Sequence, residues 1–149
     1  QVEYGDFVMM DVGAMVNGYA ADMTRTVAVG TVTQLQKEVY DTVLQAQKLA
    51  LEALGPGKRC CDIDEIARSY IDQSEWAGKF GHGLGHSLGL EIHEQPRLRP
   101  GCETVLRPGM MTTVEPGIYL PGQFGVRIED MVVITEDQNS FWYCNKTGR

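Results

Sequence analysis

The stretch Asp11-Val12-Gly13-Ala14-Met15-Val16-Asn17-Gly18-Tyr19-Ala20-Ala21-Asp22-Met23-Thr24 sets two acids on either side of a strong turn signal. Asn-Gly suits the positive φ angles of a tight hairpin turn, and the flanking runs, Phe7 to Met10 and Tyr19 to Gly30, are rich in strand-forming residues. An antiparallel hairpin is therefore expected. If Val16 and Asn17 form its loop, Asp11 pairs with Asp22; if Asn17 and Gly18 do, Asp11 pairs with Thr24. Asp22 and Thr24 point to the same side of their strand, so either register places both carboxylates on one face. Like charges facing each other on a sheet destabilise it without a counterion. The pair reads either as solvated surface acids or as half of a cation site.

Beyond the hairpin the pattern changes period. Thr33-Gln34-Leu35-Gln36 is a capping box, and Leu35, Val39, Val43, Ala46, Ala50 and Ala53 recur at helical spacing until Gly55-Pro56-Gly57. Asp62, with Glu65 one turn later, is expected to open a second helix whose stripe is Ile63, Ile66, Ala67, Tyr70 and Ile71. Both read as amphipathic cover for a sheet. Glycine is dense from Gly78 to Gly89, which argues against a regular helix there. Arg97 to Pro108 is expected to be a loop, and Met110 to Val114 and Val126 to Ile134 to be strands. No repeat or linker breaks the chain, so residues 1–149 read as a single domain of the α+β class.

The composition fits that reading. An apolar fraction of 43% and a charged fraction of 22% are those of a globular protein. The net charge of −7 argues against nucleic acid as a partner, because a surface that tracks phosphates carries a basic face. No apolar run approaches the roughly 18 residues needed to cross a bilayer, so no membrane partner is expected. Cys60, Cys61, Cys102 and Cys144 lack the CxxC spacing of a thiolate zinc site and read as buried or idle thiols in a reducing, cytoplasmic compartment.

Two glutamates repeat the pattern of the aspartates. Glu115 ends an apolar strand directly before Pro116-Gly117, and Glu129 lies within Val126-Arg127-Ile128-Glu129-Asp130-Met131-Val132. A loop at Pro121-Gly122-Gln123 would pair Leu120 with Phe124, and that register sets Glu115 opposite Glu129; a two-residue loop would break it. Four clustered carboxylates could hardly stay charged without a cation. All 3 histidines, His82, His86 and His93, fall between Gly81 and Glu94. The spacing of His82 and His86 is that of a helical zinc motif, but the surrounding glycines oppose a helix and the Glu of HExxH is absent. Four oxygen donors and one imidazole suit Mn, Co, Fe or Zn. Acids placed to bridge suggest two ions, an arrangement that clamps an attacking water and the oxyanion of hydrolysis.

These segments together resemble the pita-bread metallopeptidases, the superfamily of methionine aminopeptidases, Xaa-Pro aminopeptidases, prolidases and creatinase. Asp11-Val12-Gly13 with Gly18 to Thr26 is similar to the first motif. Gly81-His82-Gly83-Leu84-Gly85-His86 through Glu91-Ile92-His93-Glu94, then Thr113-Val114-Glu115-Pro116-Gly117, then Arg127-Ile128-Glu129-Asp130, are similar to the others in order. The resemblance implies a curved, mainly antiparallel sheet covered by amphipathic helices. It implies five metal ligands for two divalent transition ions, with Mn first: Asp11 on one ion, Asp22 and Glu129 bridging, His86 and Glu115 on the second. Glu115 would also shuttle a proton, His93 would hydrogen-bond the scissile carbonyl, and His82 would line the substrate pocket. Arg127 and Thr113 would orient the ligands.

The longer histidine segment is similar to that of the Xaa-Pro branch. The implied reaction is hydrolysis of the bond before a proline at the second position of a peptide. The resemblance further implies that this chain is the C-terminal portion of the catalytic domain, incomplete at its N-terminal half. It also allows a homodimer. Two alternatives stand beside it: a methionine aminopeptidase, which differs in the residue accepted at the amino end, and a catalytically silent metal- or peptide-binding module on the same fold.

Overall fold

The computed structural model describes residues 1–136 and the backbone of residues 139–141. Asn17 and Gly18 form the first turn, with φ of 51° and 84°, the left-handed region that Asn and Gly tolerate best. They join β1 (Phe7–Val16) to β2 (Tyr19–Ala28). Of the two registers the sequence allows, the structure adopts the second: Asp11 pairs with Thr24, and Gly13 with Asp22. The aspartates thus share a face, one step apart along the hairpin.

Helix α1 (Gln34–Ala53) begins at the expected capping box. The Thr33 hydroxyl accepts the Gln36 amide at 3.2 Å, and the Gln36 side chain accepts the Thr33 amide at 2.8 Å. Val39, Val43, Ala46 and Ala50 are fully buried, whereas Leu35, at the edge of the stripe, is exposed.

Helix α2 (Cys60–Asp72) starts one residue pair earlier than Asp62. Its first amides need no side-chain cap: the Cys60 amide donates to the Thr104 carbonyl at 2.9 Å and the Cys61 amide to that of Cys102 at 2.8 Å. Arg59 takes the Asp62 carboxylate instead, at 2.7 and 2.9 Å. The expected loop from Arg97 to Pro108 is for the same reason partly structured. It also contains the end of β4 (Glu94–Leu98), which pairs with β3 (Gly85–Ser87). Ile63, Ala67 and Ile71 are buried, while Ile66 and Tyr70 lie toward solvent.

The C-terminal sheet departs further from expectation. Between Met111 and Ile134 four short strands replace two longer ones: β5 (Met111–Val114), β6 (Gly117–Leu120), β7 (Phe124–Arg127) and β8 (Asp130–Ile134). β5 pairs with β8 and β6 with β7, and β8 also pairs with β9 (Asn139–Phe141). Leu120 faces Phe124 across the Pro121-Gly122-Gln123 turn, as expected. Val114 faces Asp130 and Gly117 faces Arg127, so the register is kept on both sides of an interruption, and Glu115 and Glu129 stand level within it. Among the described residues every strand pair is antiparallel.

The core lies between the helices and this sheet, where Ile63, Ile71, Leu84, Leu98, Leu106 and Ile118 are almost wholly buried. Each contributes about 1.5–3 kcal/mol of transfer free energy. Cys60, Cys61 and Cys102 are free thiols, and Cys144 lies outside the described residues. Among the described residues no helix is long and apolar enough to cross a membrane.

Strand β3 lies against β5 because residue 85 has no side chain. A Cβ at Gly85 would sit 2.0 Å from the Thr113 carbonyl oxygen, a backbone atom that cannot swing aside. Gly85→Ala is expected to cost about 1–3 kcal/mol in urea denaturation. A variant as stable as the wild type would mean that the two strands are not held this closely.

Candidate metal centre

Where the ladder is interrupted, the two glutamate amides turn to other partners. The Glu115 amide donates to the Leu84 carbonyl at 2.8 Å, and the Glu129 amide to the Thr24 carbonyl at 3.1 Å. Glu115 is thereby tied to the glycine-rich segment that carries His86, and Glu129 to the strand that carries Asp22.

The side chains converge accordingly. His86 Nε2 lies 3.3 Å from Glu115 Oε1 and 3.7 Å from Asp22 Oδ2. Ligand atoms of Asp22, His86 and Glu129 all lie within 4.8 Å of one another. His86 Nδ1 is 3.1 Å from the Ser87 carbonyl oxygen, which can only accept, so the ring proton sits on Nδ1 and Nε2 faces the carboxylates. An Nε2 lone pair aimed at carboxylate oxygens is stable only with a proton or a cation between them.

Charge and burial oppose each other throughout the cluster. Glu129 is 2% exposed. Its Oε2 accepts the Thr24 hydroxyl at 2.6 Å, but its Oε1 is buried without a hydrogen-bond partner. Burial first, then the charges of Glu115, Asp22 and Asp11, push its carboxyl up to about 7 against the Thr24 bond. Asp22 is raised by burial and by Asp11, with His86 opposing. Burial also acts to raise Glu115, but hydrogen bonds from His86 and from Thr113, the latter at 2.9 Å, outweigh it and hold this carboxyl below its usual value. For His86, burial favours the neutral ring, yet bonds to Glu115 and Ser87 prevail and raise its pKa.

Asp11 stands at the rim, its side chain 57% exposed, and its carboxylate is held by Arg127 at 2.5 Å. Arg127 also donates to the Thr24 hydroxyl and to the Tyr119 hydroxyl, each at 3.1 Å, and lies 4.0 Å from Glu115 Oε2. The Thr113 hydroxyl accepts the His86 amide at 3.1 Å as well as binding Glu115. His82 meets the Tyr119 hydroxyl at 2.9 Å through Nε2. His93 sets its exposed ring edgewise on His86, with centroids 4.4 Å apart.

Asp11, His82, His86, His93, Glu115 and Arg127 line one cavity of about 440 Å³ with two further cations, Arg97 and Arg99. Neither arginine, nor Tyr119, nor the hydroxyl of Thr24 is marked as a site residue by the sequence. Only Thr24 left a trace, in its alternation with Asp22.

The donor set fits a divalent cation. A buried carboxylate oxygen without a partner beside an imidazole and further carboxylates is an arrangement that a hard or borderline metal completes.

The sequence profile described as metallopeptidase family M24 matches residues 1–136. The chain belongs to this family. Among its relatives, the Xaa-Pro dipeptidase of Pyrococcus furiosus is 50% identical over 137 residues, which are 92% of this chain and 39% of that protein. The solved prolidase from Pyrococcus furiosus superposes with a TM-score of 0.94 at 49% identity, covering 99% of this chain and 43% of that one. An X-Pro aminopeptidase from Thermotoga maritima gives a TM-score of 0.91 at 41% identity, covering 94% of this chain and 40% of that one. The chain therefore spans about two-fifths of the length of these M24 proteins. Over the matched length it has the pita-bread fold expected from its motifs.

A carboxyl raised in the folded state favours the neutral form. The metal-free fold should therefore lose stability as pH rises from the unfolded value of 4.5 through about 7. Glu129→Gln keeps an acceptor for Thr24 and removes the charge. It is expected to stabilise the metal-free protein at pH 8 by roughly 3 kcal/mol, with no gain at pH 4. Added Mn²⁺ should raise the melting temperature of the wild type and leave that of Glu129→Gln unchanged. Equal Mn²⁺ stabilisation of both proteins would exclude Glu129 as a ligand.

Proposed function

We propose that this chain carries the dinuclear metal centre of a peptidase that hydrolyses the bond before a proline, with a dipeptide as its preferred substrate. The observation that carries the reading is the buried, partnerless Oε1 of Glu129 among carboxylates gathered around one imidazole. The similarity to proteins named Xaa-Pro dipeptidase and prolidase supports the choice of substrate.

In this reading Asp11, Asp22, His86, Glu115 and Glu129 hold two divalent transition ions, with manganese first and Co, Zn or Fe as alternatives. Asp22 and Glu129 would each help to hold both. Bound there, the ions would supply Lewis acidity, making water more acidic and offsetting charge on the carbonyl oxygen. Asp11 would exchange its contact with Arg127 for ligation.

The chain's own residues supply the rest. In the metal-free fold His86 and Thr113 hold the Glu115 carboxyl below its usual value. Beside the ions it would stay a carboxylate, able to take a proton from water and pass it to the leaving nitrogen. His93, whose ring meets that of His86 edgewise, would donate to the scissile carbonyl oxygen. His82, fixed by Tyr119, forms the pocket wall. Arg97 and Arg99 face the same cavity and suit the free carboxylate of a dipeptide. The free thiols of Cys60, Cys61 and Cys102 fit a reducing, cytoplasmic setting.

The test is hydrolysis of Ala-Pro by the protein loaded with Mn²⁺. Glu115→Ala should lower kcat by about 10²–10⁴-fold, and Arg97→Ala should raise KM for Ala-Pro more than for a longer Xaa-Pro peptide. Cleavage of Met-Ala peptides with no action on Xaa-Pro bonds would refute the substrate assignment and favour the methionine aminopeptidase alternative.

A further inference from the structure

Asp130 follows Glu129 and, by strand alternation, turns away from the cavity into the protein, where it is 5% exposed. A carboxylate buried directly behind a carboxylate cluster is costly, and an apolar residue would fill the same space. Its partners indicate what it does. Asp130 Oδ1 accepts Arg25 at 2.5 Å, and its Oδ2 accepts the Gln47 amide at 3.0 Å. Arg25 also donates to the Glu129 carbonyl at 2.5 Å and to the Thr24 carbonyl at 2.9 Å. Gln47, which reaches out of α1 and is 2% exposed, lies 3.2 Å from the Val114 carbonyl and 3.3 Å from that of Ile128.

Those carbonyls have a common location. The Ile128 and Glu129 carbonyls belong to the two peptide planes flanking Glu129, and the Val114 carbonyl to the plane preceding Glu115. All lie at or beside the interruption of the ladder. The Glu129 amide is meanwhile held by Thr24, whose own carbonyl Arg25 also grips.

We propose that Arg25, Asp130 and Gln47 are positioning residues that form a brace, fixing the peptide planes on both sides of Glu129 and thereby setting its affinity for metal. The proposal rests on the metal reading above. None of the three lines the cavity that His86 and Glu115 line. They act through the backbone, fixing the direction in which the Glu129 carboxylate leaves it.

Cobalt(II) serves as the probe, titrated into metal-free protein by calorimetry while its visible absorption is recorded. Gln47→Met keeps the volume and removes the amide; Arg25→Lys keeps the charge and removes the fork. Gln36→Ala, which removes a helix cap remote from the cluster, is the control for stability loss alone. Both brace variants should bind Co²⁺ about 10–100-fold more weakly, with an altered absorption envelope, and Gln36→Ala should match the wild type in both. Brace variants that melt lower yet retain wild-type affinity and spectrum would overturn the proposal, as would equal weakening by Gln36→Ala. A wild type that takes up no Co²⁺ would instead overturn the metal reading, and the brace with it.

Discussion

Every buried backbone amide needs an acceptor, and at Glu115 and Glu129 the opposite strand does not provide one. The hairpin from Met111 to Ile134 keeps its register throughout, so the interruption does not come from a slipped strand. The two amides are instead taken by Leu84 and Thr24, and the carbonyls preceding the glutamates by a helix side chain. An unmade bond at either place would cost about 1–3 kcal/mol. These crossed bonds join the glycine-rich segment, the first hairpin and helix α1 at one point. The positions of His86 and Asp22 relative to the glutamates follow from that joint.

The joint holds together groups that repel one another. Desolvation and mutual charge raise Asp22 and Glu129, while Glu115 is kept low by His86 and Thr113. Local rules of sheet stability are broken here and obeyed elsewhere, the pattern expected of a site shaped for a ligand rather than for stability. Arg127 tempers the repulsion from outside by joining Asp11, Thr24 and Tyr119. It lies at the edge of the cluster and leaves the centre to the imidazole.

What could be read from the sequence was what short-range chemistry decides. Asn17-Gly18 specified a turn, Thr33 to Gln36 a cap, and strand alternation the shared face of Asp11 and Asp22. The level placement of Glu115 and Glu129 followed from one turn at Pro121-Gly122-Gln123. Helix α2 starts before Asp62 because residues 102–104, far along the chain, satisfy its first amides. The break after Arg127 was invisible for a similar reason: Val126 to Ile134 is a good strand by composition, and the partners that stop it sit at positions 24, 47 and 84. Nothing in the sequence sets Tyr119 apart from an ordinary strand aromatic; only the fold brings Arg127 and His82 to its hydroxyl.

Thr24 imposes a direction on the site. Its hydroxyl has one proton, and Arg127 Nε can only give one. The Thr24 proton must therefore point at Glu129 Oε2, which makes that oxygen a permanent acceptor. Whatever proton a neutral Glu129 carries is left to Oε1, the oxygen with no other partner. A cation arriving at Glu129 would thus meet a proton on the very atom it needs, and uptake becomes an exchange of one for the other.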